Sequence, residues 1–191
     1  MHRSNAFTLR LATEDDIPLL HALIEASVRG LQVNDYTPAQ IEGALGTALG
    51  VDTQLIRDRT FFIAEARAGA AGAPLAGCGG WSKRKTLFGA DHGPGREPEL
   101  LDPVTDAAKI RAIFVHPECA RQGLGSLILA HVEAEAAAAG FRRFEMGSTL
   151  TGLPLYRLRG YTEVERIQVP LANGETVAVV KMVKSAAGGL M

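Results

Sequence analysis

Apolar side chains recur at two periods along this chain, and each period predicts a different kind of element. A spacing of three and four residues predicts an amphipathic helix whose apolar face is formed by Ile17, Leu20, Ile24, Val28 and Leu31. Alternating or continuous apolar runs predict strands at 7–12, 61–66, 75–81, 110–115, 141–149, 161–169 and 176–183. The Asn173-Gly174 pair between the last two runs is a strong hairpin signal.

Helix signals lie between these strands. Thr37 and Pro38 form a helix entry, with the threonine as N-cap and the proline at the first helical position. A strongly helical segment ends at Gly140, and residues 150–160 predict a short helix. Residues 44–59 favour further helix only weakly, because glycines interrupt them. The resulting order is strand, two helices, three strands, helix, strand, helix and two strands, which predicts a fold of the α/β class with a mixed sheet.

A chain of 191 residues fits one domain. We predict a single domain over residues 1–185, with a long loop insertion at about 83–106 and a flexible tail at 186–191. The insertion is rich in proline and glycine and has no sustained period. Loops of this length are usually functional or disordered, so we interpret it as a lid or a dimer contact. A turn of small residues is predicted at 67–74.

Composition narrows the classes of partner. A net charge of −1 implies no broad attraction to nucleic acid or to an anionic membrane. No apolar run approaches the ~20 residues that a bilayer span needs, and the first ten residues lack an apolar leader. The two cysteines, Cys78 and Cys119, do not make a disulfide framework. We therefore expect a cytoplasmic protein that uses no metal, with a possible homodimer left open.

The segment from Lys109 to Gly140 predicts a strand, a short glycine loop and a helix start in that order. The first amides of a helix have no partner within the helix and lie at the positive end of its dipole, so such a start favours anions. It is not a P-loop, because no lysine follows the last glycine, and it is not a dinucleotide fingerprint, because the third glycine position is Ile128. The alternative is that the two glycines only cap a helix.

The loop follows a strand ending in Val115-His116-Pro117 and fits the pattern R/Q-x-x-G-x-G/A, apart from Ala120 at its first position with Arg121 beside it. This resembles the pyrophosphate loop of the GCN5-related N-acetyltransferase (GNAT) family, which binds acetyl-coenzyme A. The order of elements along nearly the whole chain also resembles that family. The resemblance implies a GNAT fold, in which a mixed, twisted sheet of about six to seven strands carries helices on both faces.

The resemblance also implies a set of coenzyme contacts. The strand end formed by Ile113, Phe114 and Val115 would hydrogen-bond the pantetheine arm, with a backbone amide polarising the thioester carbonyl. The loop would take the pyrophosphate through Arg121, Gln122, Gly123, Leu124, Gly125 and Ser126. Acetyl-CoA would then be the co-substrate.

Tyr156 lies in Leu155-Tyr156-Arg157-Leu158-Arg159-Gly160-Tyr161, which resembles the family signature of an apolar residue, tyrosine, three residues and glycine. In that signature the tyrosine hydroxyl lies near the coenzyme sulfur and protonates the leaving thiolate. A tyrosine is a protonated donor at neutral pH, since its ordinary pKa is about 10. The alternative is a core tyrosine on a short helix. The asparagine that often precedes the signature is replaced by Thr149.

Three residues are candidates for contact with the acceptor. The stretch VNDYTPAQI resembles a segment of one GNAT branch in which the tyrosine, here Tyr36, lies over the acceptor amine; a packing role at the helix start is the alternative. Trp81 is the single tryptophan, and the sequence favours a place in the core over contact with the acceptor. Arg111, with Arg84 and Lys109, hints at an acceptor that carries a carboxylate or phosphate.

The general base is not identified by the sequence. Many family members have a glutamate six residues before the terminal valine of the central strand, and Lys109 occupies that position here. Glu145 and Glu65 are candidates, each with a solvent-facing strand position as the alternative. Water or an acceptor that is already neutral is a third possibility.

These features together predict an acetyl-CoA-dependent N-acetyltransferase that acetylates a primary amine of a small molecule or peptide by direct attack in a ternary complex. The first alternative is a non-catalytic acyl-CoA-binding module or sensor on the same fold. The second is an unrelated nucleotide-binding α/β protein, against which the two failed motif tests argue.

Overall fold

A computed structural model of the chain describes residues 6–66, 75–93 and 96–186. Seven strands form its sheet: β1 (Phe7–Leu11), β2 (Phe61–Ala66), β3 (Gly77–Ser82), β4 (Ala108–Val115), β5 (Arg143–Thr149), β6 (Thr162–Pro170) and β7 (Thr176–Ser185). The α-helices are α1 (Ile17–Leu31), α2 (Pro38–Ala44), α3 (Thr53–Arg57), α4 (Leu124–Ala138) and α5 (Leu153–Leu158). The predicted fold class is confirmed. The turn predicted at 67–74 lies outside the described residues, as does the predicted tail apart from Ala186.

The sheet has the strand order β1-β2-β3-β4-β5-β7-β6, and the pair β4–β5 is parallel while the others are antiparallel. Strands β4 and β5 pair only at their starts, Ala108 with Phe144 and Lys109 with Glu145. Beyond these two residues the strands separate. The predicted hairpin at Asn173-Gly174 joins β6 to β7, with Gly174 at φ 85°.

Each face of the sheet packs against its own helices. One core contains apolar residues of α1, α2 and α3 together with Ile63 and Val179. The other contains those of α4 and α5 together with Phe62 and Val180. Adjacent strand residues thus contribute to opposite cores, because side chains alternate across a sheet.

The described part of the segment 83–106, which excludes residues 94 and 95, is more ordered than an open loop. The Lys85 amide donates to the Glu99 carbonyl at 3.0 Å, and the Leu101 amide donates to the Lys83 carbonyl at 2.8 Å. These bonds extend β3 into an irregular hairpin. The Ala90 amide then donates to the Thr47 carbonyl at 2.6 Å, which joins the hairpin tip to the connection between α2 and α3. Its role as a lid or dimer contact stays a prediction.

Among the described residues, no helix combines the length and the apolar character that crossing a bilayer requires.

Changing Asp16 to asparagine should lower the free energy of unfolding by about 2 kcal/mol, the range for hydrogen bonds to charged groups. Both Asp16 oxygens accept from the Arg10 guanidinium, at 2.8 and 2.9 Å, and the Thr13 amide donates to Oδ2 at 2.8 Å. The hydrogen bonds from Arg10, opposed by burial, hold the pKa of Asp16 well below its ordinary value.

The pH dependence of this contribution follows from the lowered pKa. The ionised Asp16 stabilises the fold above the unfolded carboxyl pKa of about 4, and this stabilisation is lost as the pH falls. Urea unfolding at pH 7 and pH 3 measures it. The wild type and Asp16→Asn should differ at pH 7 and converge at low pH; an equal difference at both pH values would contradict the assignment.

Candidate functional site

The gap between β4 and β5 is shaped by a bulge in β4. Cys78 pairs with Phe114 and Gly80 pairs with Arg111, so two β4 residues, Ala112 and Ile113, oppose one residue of β3. Ala112 has φ 51°, a left-handed value that is rare for alanine. A bulge bends its strand and re-aims side chains and backbone groups. Here it coincides with the separation of β4 from β5.

Glycine at position 79 makes this bulge possible. A Cβ there would lie 2.5 Å from Ile128 of α4 and 3.0 Å from Ile113 of the bulge. Any other residue would force α4 away from the sheet. The glycines of β3 therefore reflect close packing behind the gap.

The gap contains a cavity of about 70 Å³. Two walls come from the sheet, namely residues 110–114 of the bulged strand β4 and residues 146–149 at the free end of β5. The others come from two loops, residues 48–50 and 87–89, and from the single residues Gln32 and Tyr156. The two loops are the α2–α3 connection and the tip of the 83–106 hairpin. The cavity is thus walled by parts of the chain that no single motif covers.

Tyr156 lies in α5 with only 8% of its surface exposed, and it borders the cavity. Its ring meets that of Tyr161 edge to face, with 6.0 Å between centroids. Gly152 makes room for the ring, since a Cβ there would lie 2.6 Å from Tyr156 Cε2. Burial raises the pKa of Tyr156 above its ordinary value, so the hydroxyl stays protonated throughout the neutral range.

The predicted anion loop leads into α4, and Gly123 is the N-cap of that helix, with φ 85°. No side chain of the described residues caps it, and the first helical bond runs from the Leu127 amide to the Gly123 carbonyl at 3.0 Å. The amides of Leu124, Gly125 and Ser126 precede that bond. They therefore remain open to an anion.

The side chains around this loop have other contacts. Leu124 is 1% exposed and belongs to the core, so only its backbone faces outward. Gln122 donates to the Glu118 carbonyl at 2.9 Å, and Ser126 accepts from Arg159 Nε at 3.1 Å. Arg121 is exposed and has φ 62°. The anion site is thus a backbone site with Arg121 and Arg159 nearby.

The helix start adjoins the rest of the site. A Cβ at Gly125 would lie 3.2 Å from Leu155 of α5 and 3.8 Å from Val115 at the end of β4. Of the predicted pantetheine residues, Ile113 and Phe114 line the cavity, and Val115 lies at its α4 side. The structure therefore brings the strand end, the glycine loop and Tyr156 together.

The three predicted acceptor residues are placed differently. Trp81 packs edge to face on Phe141, 5.8 Å between centroids, away from the cavity lining. The Tyr36 hydroxyl donates to the Ala178 carbonyl at 2.7 Å and accepts from the Leu150 amide at 2.8 Å, so it joins the start of α2 to β7 and to the turn that follows β5. This geometry favours the packing alternative for both, and acceptor contact by either stays an untested prediction.

Arg111 borders the cavity, but its guanidinium is held by the protein. It donates to Asp52 Oδ2 at 2.8 Å, to the Gly89 carbonyl at 2.6 Å and to the Thr86 carbonyl at 2.9 Å. Arg111 is 4% exposed and Asp52 1%. This buried pair ties β4 to both loops that wall the cavity, and we therefore interpret Arg111 as a residue that builds the wall.

Neither glutamate candidate for the base lies at the cavity. Glu145 forms ion pairs with Lys109 and with Lys181, whose Nζ lies 3.0 Å from Glu145 Oε1. Burial acts to raise the pKa of Glu145, but the hydrogen bonds and charges of the two lysines lower it overall. Glu65 accepts from Arg10 at 3.0 Å on the far strands of the sheet. Of the described residues that line the cavity, none has a carboxylate or an imidazole.

Sequence reasoning missed two contributors to this site, Gln32 and Asp52. Gln32 ends an amphipathic helix, and Asp52 lies in a glycine-rich connection, so neither stands in a motif. Their positions depend on contacts between distant parts of the chain. Within the described residues, no group of three or more His, Cys, Asp or Glu side chains is placed to hold a metal ion.

Comparison with known families matches residues 103–185 to the acetyltransferase (GNAT) domain. The matched range runs from just before β4 to the end of β7 and contains the glycine loop and Tyr156. It leaves Gln32 and the two loops that wall the cavity outside. No curated protein matches the chain.

Solved structures match nearly the whole chain. A GCN5-related N-acetyltransferase from Rhodopseudomonas palustris is 22% identical, with a TM-score of 0.69 over 97% of this chain and 98% of its own. The PaiA N-acetyltransferase from Thermoplasma acidophilum, solved in complex with coenzyme A, is 12% identical, with a TM-score of 0.62 over 94% and 99%.

A third similar structure is larger. N-acetylglutamate synthase from Neisseria gonorrhoeae, complexed with coenzyme A and N-acetyl-glutamate, is 21% identical, with a TM-score of 0.57 over 94% of this chain and 35% of its own. The predicted resemblance to the GNAT family is confirmed, in sequence over residues 103–185 and in fold over nearly the whole chain.

Proposed function

We propose that this chain is an acetyl-CoA-dependent N-acetyltransferase. The proposal rests on its GNAT fold and on the match of residues 103–185 to the acetyltransferase domain. The enzyme moves the acetyl group to a primary amine of a small molecule or a peptide by direct attack in a ternary complex. One observation carries the proposal: the gap between β4 and β5 lies between an uncapped helix start and the side chain of Tyr156.

The residues present fit acetyl-CoA as the co-substrate. The open amides at the start of α4 suit a pyrophosphate, and Arg121 adds positive charge at the same loop. Beyond its two paired residues, β4 has no β5 partner, so its backbone groups are available to the amide-rich pantetheine arm. Similar structures described with coenzyme A support this placement.

Tyr156 is the donor to the leaving sulfur. As the amine attacks the thioester carbonyl carbon, a C–N bond forms and the C–S bond breaks. The Tyr156 hydroxyl stabilises the departing thiolate by hydrogen bonding and supplies its proton. Because burial raises its pKa, Tyr156 is fully protonated at neutral pH and ready to donate.

The amine must reach the carbonyl as a neutral base. Among the described lining residues, none is a carboxylate or imidazole that could accept the ammonium proton. The amine therefore loses its proton in solution or through water before attack. Holding it in line with the thioester is then the main contribution of the cavity walls to the rate.

A non-catalytic acyl-CoA sensor is the second candidate. The observation that favours it is Lys109 in the usual glutamate position, already paired with Glu145. Tyr156 beside the cavity favours the enzyme, since a sensor does not need an acid at the sulfur.

Thermal shift tests the ligand class. Acetyl-CoA should raise the midpoint of unfolding, whereas ATP and NAD at the same concentration should not, because only acetyl-CoA fills the gap as well as the loop. Initial rates at varied acetyl-CoA and amine should then give intersecting double-reciprocal lines. Parallel lines would contradict direct attack and indicate an acetylated enzyme.

A further inference from the structure

Gln32 has a buried side chain beside the cavity and a backbone that is locked in place. It follows α1, its amide donates to the Val28 carbonyl at 3.2 Å, and its carbonyl accepts from the amides of Asp35 and Tyr36 at 3.0 and 3.1 Å. Gln32 and Tyr156 are the two lining residues of the cavity that belong neither to β4 and β5 nor to the two loops. Gln32 is 5% exposed.

The amide oxygen of this side chain has no hydrogen-bond partner. Among the described residues, none donates to Gln32 Oε1, although the atom is shielded from bulk solvent. Buried polar atoms in native proteins are nearly always bonded, and leaving one unpaired is destabilising. Gln40 provides the contrast, since its Oε1 accepts from the Thr37 amide at 3.0 Å and its Nε2 donates to the Thr176 carbonyl at 2.7 Å. An unpaired oxygen beside a cavity is suited to a donor on a ligand.

The charges around the cavity decide which donor fits. The titratable or charged side chains that line it are Arg111 from β4 and Tyr156 from α5; the lining residues of β5 and of both loops are uncharged. Asp52 lies behind Arg111 and is paired with it. A protonated amine would lose its hydration, find no carboxylate among the described lining residues and lie near the Arg111 cation. A neutral amine meets none of these penalties.

We propose that Gln32 binds the attacking amine: its Oε1 accepts a hydrogen bond from an N–H of the neutral acceptor. This inference rests on the proposed acetyl transfer and adds a substrate class to it. The neutral form is abundant near pH 8 for α-amino groups, whose pKa is about 8, and scarce for lysine-type amines, whose pKa is about 10.4. The acceptor is therefore the N-terminal α-amine of a peptide.

The chemistry balances without a further reactant. One N–H stays bonded to Gln32 while the nitrogen lone pair forms the new C–N bond. The second amine proton passes to water, Tyr156 gives its proton to the thiolate and is reprotonated from water, and the products are an amide and free thiol. Gln32 positions the nitrogen and exchanges no proton.

The test compares Gln32→Met with Gln40→Met, the same change at a glutamine whose amide is satisfied. The probes are a peptide with a free α-amine and no lysine, and an N-acetylated peptide with one lysine, both assayed with acetyl-CoA from pH 6 to 10. The wild type should prefer the α-amine at pH 8. Gln32→Met should lower kcat/KM for the α-amine at least about tenfold, leave KM for acetyl-CoA unchanged, and leave the unfolding midpoint equal or higher.

Gln40→Met should behave in the opposite way, with a lower unfolding midpoint and wild-type kinetics. A second variant, Gln32→Glu, keeps an accepting oxygen of the same reach. It should restore acceptor binding and move the rising limb of the pH profile upward, because a carboxylate favours the protonated amine.

The outcomes separate the two proposals. No turnover by the wild type with any amine overturns the proposed function and this inference with it. Wild-type turnover with an unchanged kcat/KM in Gln32→Met, or with a preference for the lysine peptide at pH 8, overturns the inference alone.

Discussion

Replacing Tyr156 by phenylalanine should lower kcat for acetyl transfer by about 100-fold, the lower end of the range for loss of a positioned acid. The change removes one oxygen and leaves the ring in its contact with Tyr161 and in the space provided by Gly152. The affinity for acetyl-CoA, measured by calorimetry, should stay within about twofold. A wild-type kcat would remove the assignment of Tyr156 as the donor to sulfur.

Tyr161→Phe is the matched control. The Tyr161 hydroxyl donates to Glu133 at 2.9 Å, and Tyr161 is 3% exposed, but it is not a lining residue of the cavity. Its loss should reduce stability by about 2 kcal/mol through the broken hydrogen bond to a carboxylate and leave kcat unchanged. Equal losses of kcat in both variants would point to a packing defect in α5.

Changing Gly123 to aspartate should weaken acetyl-CoA binding by about 100-fold. The new carboxylate lies at the open amides of α4, where it repels the pyrophosphate and competes for the positive end of the helix dipole. Repulsion between two unit charges about 4 Å apart near a protein surface is roughly 4 kcal/mol before salt screens it. Calorimetric titration with acetyl-CoA at low and high salt measures the effect, which should shrink as salt is added.

The hairpin residue Gly174 offers a control with the same backbone conformation. Gly123 and Gly174 both have φ 85°, and a Cβ at either would meet no atom within 4 Å. Gly174→Asp therefore carries a similar backbone strain without placing charge at the helix start. If the two variants bound acetyl-CoA equally well, the loop would be only a helix cap.

The strands and the proposed coenzyme half of the site follow from local sequence. The apolar runs predicted both ends of β2 and β7 to within two residues of those observed. The Asn173-Gly174 pair correctly predicted the hairpin between β6 and β7. The glycine loop and Tyr156 stand in motifs, and the structure places them beside one gap. These features depend on near neighbours in the chain, which is why the sequence reveals them.

The proposed acceptor half depends on contacts that sequence patterns do not contain. Ala112 has a left-handed φ, which an alanine in the sequence does not predict. This conformation accompanies the bulge in the pairing of β4 with β3. The sequence suggests that Arg111 contacts a carboxylate or phosphate of the acceptor, whereas in the structure its partner is Asp52, 59 positions away. In the same way the sequence makes Glu145 a candidate base, whereas in the structure it is paired with Lys109 and Lys181.

The central claim is that this gap catalyses acetyl transfer to an amine, and the most direct measurement is product stoichiometry. Purified protein is incubated with acetyl-CoA and a panel of amino acids, peptides, polyamines and aminoglycosides, and free thiol and acetylated amine are measured together. The account predicts amine-dependent thiol release with one amide formed for each thiol. Tight acetyl-CoA binding without thiol release across the panel, or thiol release that forms no amide, would contradict it.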